Sequence, residues 1–574
     1  MTKRFIITAS AIILVAALVG GTIGRSRRFR HSAPVSGAPS RTQADDIEKD
    51  YNEAVEAISI QYAGDIDYEK ATQAAIQGML STLDPHSMYF PYSEFKKLKE
   101  DQDSRFYGIG VTIVQHRDGV YIQSAVEGTP AGRLGLRYGD RILEVDGQDA
   151  RDWTSEQVSK KVRGGKGEAV TLKVERAGAE APLSFTLIRD SVPLPSIRNA
   201  YILRPGTGYV GLTGGFQSTS DEELRESLKK LKAQGMRQLI LDMRGNPGGL
   251  LNQAIDVSSE FLPRGQVVVS VKGRTEYTDP IVYKSSGADP EDVPLVILIN
   301  RGSASATEIV AGAIQDHGRG LVVGETSFGK GLVQHVFQLP FNTGLTLTTA
   351  RYYTPYGRSL QRDYSSGSLY DYYTGHDAEA DKSPSPEASP VAPVSQKPET
   401  SPAQSLPLAH PQSGPAVKTA AGRVFYGGGG ITPDIEVKPL AFSPLRARIA
   451  ESAFQFTRQL AAGLVPGLES YKVDKIQYGR NPKPNELAIT DRVVEAFRAF
   501  VRTDTQSQLT NAQLDEELEF LKLRLRQEIV TAAFSNDAGA RVLLDSDPQV
   551  LKALEALPDA RRLAESVRTG VVAS

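Results

Sequence analysis

Ser303, Ser305, Lys330 and Gln334 fall within residues 300–334, NRGSASATEIVAGAIQDHGRGLVVGETSFGKGLVQ, where a serine hydroxyl could act as a nucleophile. The apolar run before it, residues 293–299 (VPLVILI), reads as a fully buried strand bounded by turn signals. A small-residue turn follows, Gly302-Ser303-Ala304-Ser305-Ala306, and then a helix whose apolar period runs through Ile309, Ala313 and Ile314. A second apolar strand, residues 321–323, leads to Thr326-Ser327-Phe328-Gly329-Lys330-Gly331. Strand, tight turn and helix lift a hydroxyl clear of the sheet at a helix start, where backbone N–H groups gather without partners. A serine so placed can attack a carbonyl while neighbouring amides hold the oxyanion. The competing reading is structural: Ser303 and Ser305 as N-caps, with Glu308 closing an S-x-x-E capping box on Ser305. Lys330 lies 25 residues beyond Ser305 in a glycine-flanked turn that lets the backbone pass close, and Gln334 follows it by four.

Together SASATE…GAIQD…TSFGKGLVQ resembles the carboxy-terminal processing (tail-specific) serine proteases, which use a Ser/Lys dyad. By motif position Ser305 matches the nucleophile, Lys330 the general base and Gln334 the residue that orients the lysine. The stretch Leu241-Asp242-Met243-Arg244-Gly245-Asn246-Pro247-Gly248-Gly249 matches the family's LDxRxNxGG turn. The resemblance implies that this turn supplies one oxyanion amide, Gly248 (or Gly249), and that Ala306 supplies the other. Read without the resemblance, Gly248-Gly249 before a helix is a turn or a phosphate-cradling helix start, although neither nucleotide fingerprint spacing is present. A lysine starts at about 10.4 and must fall toward about 7 to serve as a base, which desolvation among Val322, Val323 and Phe328 would favour. Two rivals stand beside this reading. One is a catalytically silent PDZ scaffold, against which intact Ser305, Lys330 and Gln334 argue. The other is a Ser-His-Asp hydrolase using His317 or His335, residues that read more simply as helix-end and strand-surface positions.

Composition narrows the field. The chain has 574 residues, too many for one core, and 66 basic against 68 acidic residues, a balance that argues against nucleic-acid binding. With no cysteine there is no disulfide, thiolate nucleophile or cysteine-ligated metal. Seven histidines without an HExxH give no support to a zinc hydrolase, and no GxxxxGK[ST] appears, so no metal or other cofactor is expected. At the amino terminus, Lys3-Arg4 precede an apolar run at residues 5–24, long enough to span a bilayer. It reads as a retained signal-anchor in preference to a cleaved signal peptide, although Arg25, Arg27, Arg28 and Arg30 oppose the usual charge bias. The expected location is exported, periplasmic or otherwise extracytoplasmic, anchored to the inner membrane.

The elements that must position the site follow in order. After a linker at 25–43, residues 44–103 read as helical, with Ile47, Tyr51, Val55 and Ile58 on one period. Within it, Asp84-Pro85-His86-Ser87 reads as turn and cap chemistry, and LDPHSxY resembles a structural part of the same proteases. Residues 104–192 are β-rich, and GIGV…TPAxRxGLxxGDRILEVDG resembles a PDZ domain. Tyr107, Gly108, Ile109 and Gly110 would then form the loop that binds a chain-terminal carboxylate, with the adjacent sheet edge taking the peptide as an added strand. Residues 193–375 and 423–440 alternate strands and helices, an α/β core. Between them, residues 376–422 are rich in Pro, Ser and Ala and are expected to be a disordered insertion. Residues 441–574 read as a helical extension, with Leu514, Leu518, Leu521, Leu525 and Ile529 as one stripe and Asp547-Pro548 as an N-cap with Pro at N1. That stripe is expected to pack internally or on the protease body, with a homo-oligomer as the alternative. The whole is a multidomain α/β and α+β chain: anchor, helical region, a PDZ domain before a ClpP/crotonase-like protease core, and a helical extension. Its expected function is serine endopeptidase action on protein or peptide substrates recognised by their C-termini.

Overall fold

The computed structural model describes residues 41–569 apart from 103, 275–279, 365–413, 420–421, 481 and 484–485. The expected anchor, most of the linker and most of the Pro/Ser-rich insertion lie outside the described residues. Among the described residues no helix is long and apolar enough to cross a membrane. The chain divides into two compact units at Ala75/Ile76. The first holds the helix Arg41–Gln61, whose Ile47, Tyr51, Val55 and Ile58 are exposed within it. All that follows concerns the second.

Its centre is a six-stranded sheet in the order Ile197–Arg204, Thr207–Leu212, Gln238–Asp242, Leu295–Ile299, Leu321–Gly324, Ile435–Glu436. The first pair is antiparallel and the rest parallel. Parallel strands are covered on both faces, which is why residues 239–241 and 295–299 are uninterruptedly apolar. Alternate residues part to opposite sides. Leu239, Leu241, Ile297 and Val322 pack under the helices Ser220–Ala233, Leu251–Ser259 and Ala306–Asp316, whereas Ile240, Val296, Leu298 and Val323 face the helix Pro548–Thr569. That last helix sets Val550, Ala553, Ala556, Leu557 and Ala560 on the sheet. Burying Leu557 alone is worth about 2 kcal/mol. The C-terminal extension therefore supplies one whole layer of the α/β core.

A second sheet joins Met88–Phe90, Gly344–Tyr353, Val267–Gly273 and Ile281–Lys284, with Leu332–Gln338 also paired to Gly344–Tyr353. The expected all-helical region at 44–103 is thus interrupted: residues 88–90 form a strand, because the turn at Asp84 delivers Met-Tyr-Phe onto a free sheet edge. The 376–422 boundary also needs correction. Ala416–Lys418 pairs with Val424–Tyr426 as a hairpin, its apolar Val417 opposite Phe425. Beyond the loop, Ile435 joins the central sheet beside Val323.

The PDZ module has its own sheet, Val111–His116, Gly119–Ala125, Arg141–Val145, Ala169–Glu175, Leu183–Ile188, and its own core. Arg105–Gly108 pairs with Asp190–Pro193, closing the module where it enters and leaves the chain. Asp146 and Gly147 both take positive φ, 50° and 75°, as the hairpin dipeptide requires. Val111–His116 is an edge strand, flanked by the helix Ser155–Val162. The helices Pro444–Ala461 and Leu518–Ala533 pack on this module: the His116 ring stacks on Phe454 at 3.6 Å, and Tyr138 OH donates to Glu528 Oε2 at 2.8 Å. One extension thus grips both this module and the central sheet.

Candidate active site

The two serines of the turn separate at once. Ser303 is fully buried, its hydroxyl donating to Met243 O at 2.9 Å and accepting from Asn300 N at 3.0 Å, so it is committed to the fold. Ser305 is 9% exposed at the start of the helix Ala306–Asp316, with φ +56° and ψ −114°. A non-glycine residue held there costs on the order of 1–3 kcal/mol and commonly marks a functional turn.

Its surroundings are held from two sides. The turn 242–249 is stitched to the serine turn by Ala304 N and Thr307 Oγ1, both donating to Asn246 O at 3.0 Å. Gly248, at φ +94°, lies so close that a Cβ would sit 2.7 Å from Ser305 Cβ and 2.9 Å from Ala306 N. Only glycine fits. The structure therefore brings Gly248, Ser305 and Ala306 together. The Gly248 N–H is engaged, donating to Asn246 Oδ1 at 2.9 Å. Among the described residues the N–H groups of Gly249 and Ala306 have no acceptor.

The other side is built around Glu308, which is fully buried. Its Oε2 accepts from Ser305 N at 2.8 Å and from Lys330 N at 2.9 Å. Its Oε1 accepts from Gly329 N at 2.7 Å and from the Ser327 hydroxyl at 2.5 Å. One carboxylate thereby ties the serine's backbone to the lysine's turn. Burial pushes the Glu308 carboxyl up, against the lowering effect of these four donors. The S-x-x-E spacing is visible in the sequence as a capping box, yet only one of the four bonds is the expected helix-start contact.

Lys330 Nζ donates to Gln334 Oε1 at 3.2 Å, so those two side chains meet. Burial lowers the Lys330 pKa, and the negative charges of Glu308 and Asp84 oppose that. No hydrogen bond joins Ser305 Oγ to Lys330 Nζ among the described residues. Gln334 is fixed by its Nε2, which donates to His86 O at 2.5 Å. Asp84 shapes the His86 turn, its Oδ1 accepting from His86 N at 2.8 Å and Ser87 N at 2.9 Å. The His86 motif is thus turn chemistry, as expected, but it also props the glutamine beside the lysine. This prop was missed because a carbonyl contact leaves no mark on residue type.

Burial, with the nearby Lys330 charge, holds the His86 imidazole down at about 4. The unfolded chain takes up that proton near 6.5 and the folded one does not, so stability should fall as pH drops from 6.5 through about 4. The expected loss is roughly 2 kcal/mol after allowing for solvent screening. Urea unfolding at a series of pH values should show this limb, and His86→Gln should flatten it.

Neither rival histidine meets the serine. His317 Nε2 donates to Val267 O at 2.7 Å, and His335 is exposed on its strand beside Phe337. In the PDZ module, Tyr107 and Gly108 end a strand, while the carbonyls of Ile109 and Gly110 accept from Ala131 N and Val126 N, both at 2.9 Å. The N–H groups of Ile109 and Gly110 have no acceptor among the described residues. Gly110, at φ +79°, would clash with Thr129 if it carried a Cβ.

A strained serine on a strand–turn–helix, with the unbonded Ala306 amide beside it and a buried lysine across a shared carboxylate, is an arrangement suited to nucleophilic acyl transfer. Comparisons with known proteins give the family. The model for peptidase family S41 matches residues 206–372, and the PDZ domain model matches residues 98–175. A carboxy-terminal-processing protease of Bartonella bacilliformis is 36% identical over 316 residues, covering 54% of this chain and 72% of that protein. The carboxy-terminal processing protease CtpB of Bacillus subtilis is 32% identical over 337 residues, covering 57% and 70%. Among solved structures, a photosystem II D1 C-terminal processing protease is 30% identical, with TM-score 0.33, covering 54% of this chain and 84% of that one. The chain belongs to the S41 family of carboxy-terminal processing serine proteases and carries a PDZ domain ahead of its protease core.

Proposed function

We propose that this enzyme cleaves peptide bonds with a Ser305/Lys330 dyad and selects substrates by capturing their C-termini on the PDZ module. The observation that carries the dyad is Glu308, whose one carboxylate binds the backbone of both residues. Lys330, desolvated and held by Gln334, takes the Ser305 proton as Oγ attacks the scissile carbonyl; it returns that proton to the leaving amine. The oxyanion falls to Ala306 N–H and a second amide of the glycine turn. Gly248 lies against Ser305 but its N–H is occupied by Asn246 Oδ1, whereas the neighbouring Gly249 N–H is unbonded and is the one available to serve. Capture of a tail rests on the two free amides of Ile109 and Gly110 beside the unpaired edge of Val111–His116, a nest for a carboxylate and a strand to extend.

The test offers unfolded substrates ending in apolar or in aspartate tails to the soluble chain, beside Ser305→Ala. Apolar tails should be cleaved several-fold faster. Deleting residues 104–192 should erase that preference more than it slows a short unstructured peptide. Equal rates for both tails in the intact protein would defeat PDZ capture, and a fully active Ser305→Ala would defeat the dyad.

A further inference from the structure

The C-terminal extension reaches into the glycine turn beside the nucleophile. Arg244, in that turn, grips Asp242 with Nε at 3.0 Å to both carboxylate oxygens and with Nη2 at 2.6 Å, while Asp242 also accepts from Tyr209 OH at 2.7 Å. Its remaining arm turns away from the protease strands. Nη1 donates to Asp547 Oδ2 at 2.6 Å and to Gln549 Oε1 at 2.8 Å, more than 300 residues along the chain (|i−j| of 303 and 305).

Neither partner is a loose surface side chain. Asp547 divides its carboxylate: Oδ1 caps the helix Pro548–Thr569, accepting from Gln549 N at 2.9 Å and Val550 N at 3.3 Å, and Oδ2 serves Arg244. Gln549 is 1% exposed and donates through Nε2 to Val437 O at 2.8 Å, just past the outermost strand of the sheet. Both are therefore fixed before they touch Arg244. An arginine fork held on one side only can pivot about its carboxylate; held on both sides, it fixes the backbone that carries it. That backbone leads within four residues to Gly248, which is in contact distance of Ser305.

We propose that Asp547 and Gln549 are positioning residues for the protease site, acting through Arg244 on the turn 242–249. The inference rests on the reading of that turn as one wall of the oxyanion hole. Displacing such donors by a fraction of an ångström slows the chemical step and leaves ground-state binding largely intact.

The experiment measures kcat and KM on a short unstructured peptide, with kcat normalised to sites titrated by a covalent serine reagent, in the full chain. Asp547→Ser keeps a helix-capping oxygen but is too short to reach Arg244, and Gln549→Met keeps the buried shape without an acceptor. Each is expected to lower kcat per titrated site about tenfold, with KM within about twofold of the parent. Gln549→Glu added to Asp547→Ser returns a carboxylate to Arg244 Nη1, at the cost of the bond to Val437 O, and should restore part of the loss in kcat, which a purely structural role would not do. Asp559→Ala, exposed on the same helix, should behave as the parent. Parental kcat per titrated site in both single variants overturns the proposal, as does a loss that Gln549→Glu leaves untouched. If instead Ser305→Ala matches the parent, it is the dyad that fails, whatever the Asp547 variants do.

Discussion

Ser305→Ala and Lys330→Ala are each expected to cut turnover of a short peptide by about 10⁴-fold or more, with the double variant little worse than either single one. In the proposed mechanism the two residues act as a unit, since an alkoxide cannot form without a base and a base has no task without the hydroxyl. The pH profile separates this lysine from a histidine. Burial lowers the Lys330 pKa, and the active form is the neutral amine, so kcat/KM should rise with pH through that lowered value and remain high in mild alkali. Lys330→Arg keeps its charge at every accessible pH and should show no alkaline recovery. A Lys330→Arg enzyme that titrates like the parent would remove the lysine from the mechanism. Activity lost only in His317→Ala or His335→Ala would install a histidine triad.

Glu308→Ala should be nearly as damaging, and for a different reason. It strips four donors of their acceptor at once: the amides of Ser305, Gly329 and Lys330 and the Ser327 hydroxyl. Each buried donor left unpaired costs about 1–3 kcal/mol, so a loss of about 4 kcal/mol or more in unfolding free energy is expected. Glu308→Gln is the sharper variant. It preserves size and keeps one oxygen, but turns an NH₂ toward a backbone N–H, so two donors face each other. Turnover should fall about 10²–10³-fold while most of the protein remains folded at room temperature. Parental kcat in Glu308→Gln, confirmed by intact near-UV circular dichroism, would show that the strap between serine and lysine is not needed.

The protease strands were legible because burial on both faces leaves no room for polar residues, and such runs announce themselves. The serine turn was legible through small residues and S-x-x-E. What escaped notice is what residue type cannot encode. Met88–Phe90 is too short to show a period, yet it completes a sheet. At 345–348 apolar and polar residues alternate, and Thr346 is the buried residue while Leu345 and Leu347 are half-buried. The reason is the His86 turn, which covers the threonine face: Thr346 Oγ1 lies 3.5 Å from both His86 O and Met88 O. The helix Pro548–Thr569 reads from the sequence only as part of a helical extension because its buried face is mostly alanine, a weak apolar signal. Its large partners belong to the sheet. In the site itself, Ser305, Lys330, Gln334 and the glycine turn could be named from motif positions, whereas the carboxylate linking them and the carbonyl propping Gln334 required coordinates.

The order in which this chain can be completed follows from where those props come from. Thr346 meets the Met88 carbonyl across 258 residues, and Arg244 meets Asp547 across 303. Loop closure over such spans must be paid before any contact rewards it, so these junctions form late. On a ribosome the serine and both its neighbouring turns emerge long before residue 547 does. A nascent chain therefore carries Ser305 on a sheet with one bare face until the helix Pro548–Thr569 emerges and packs on it.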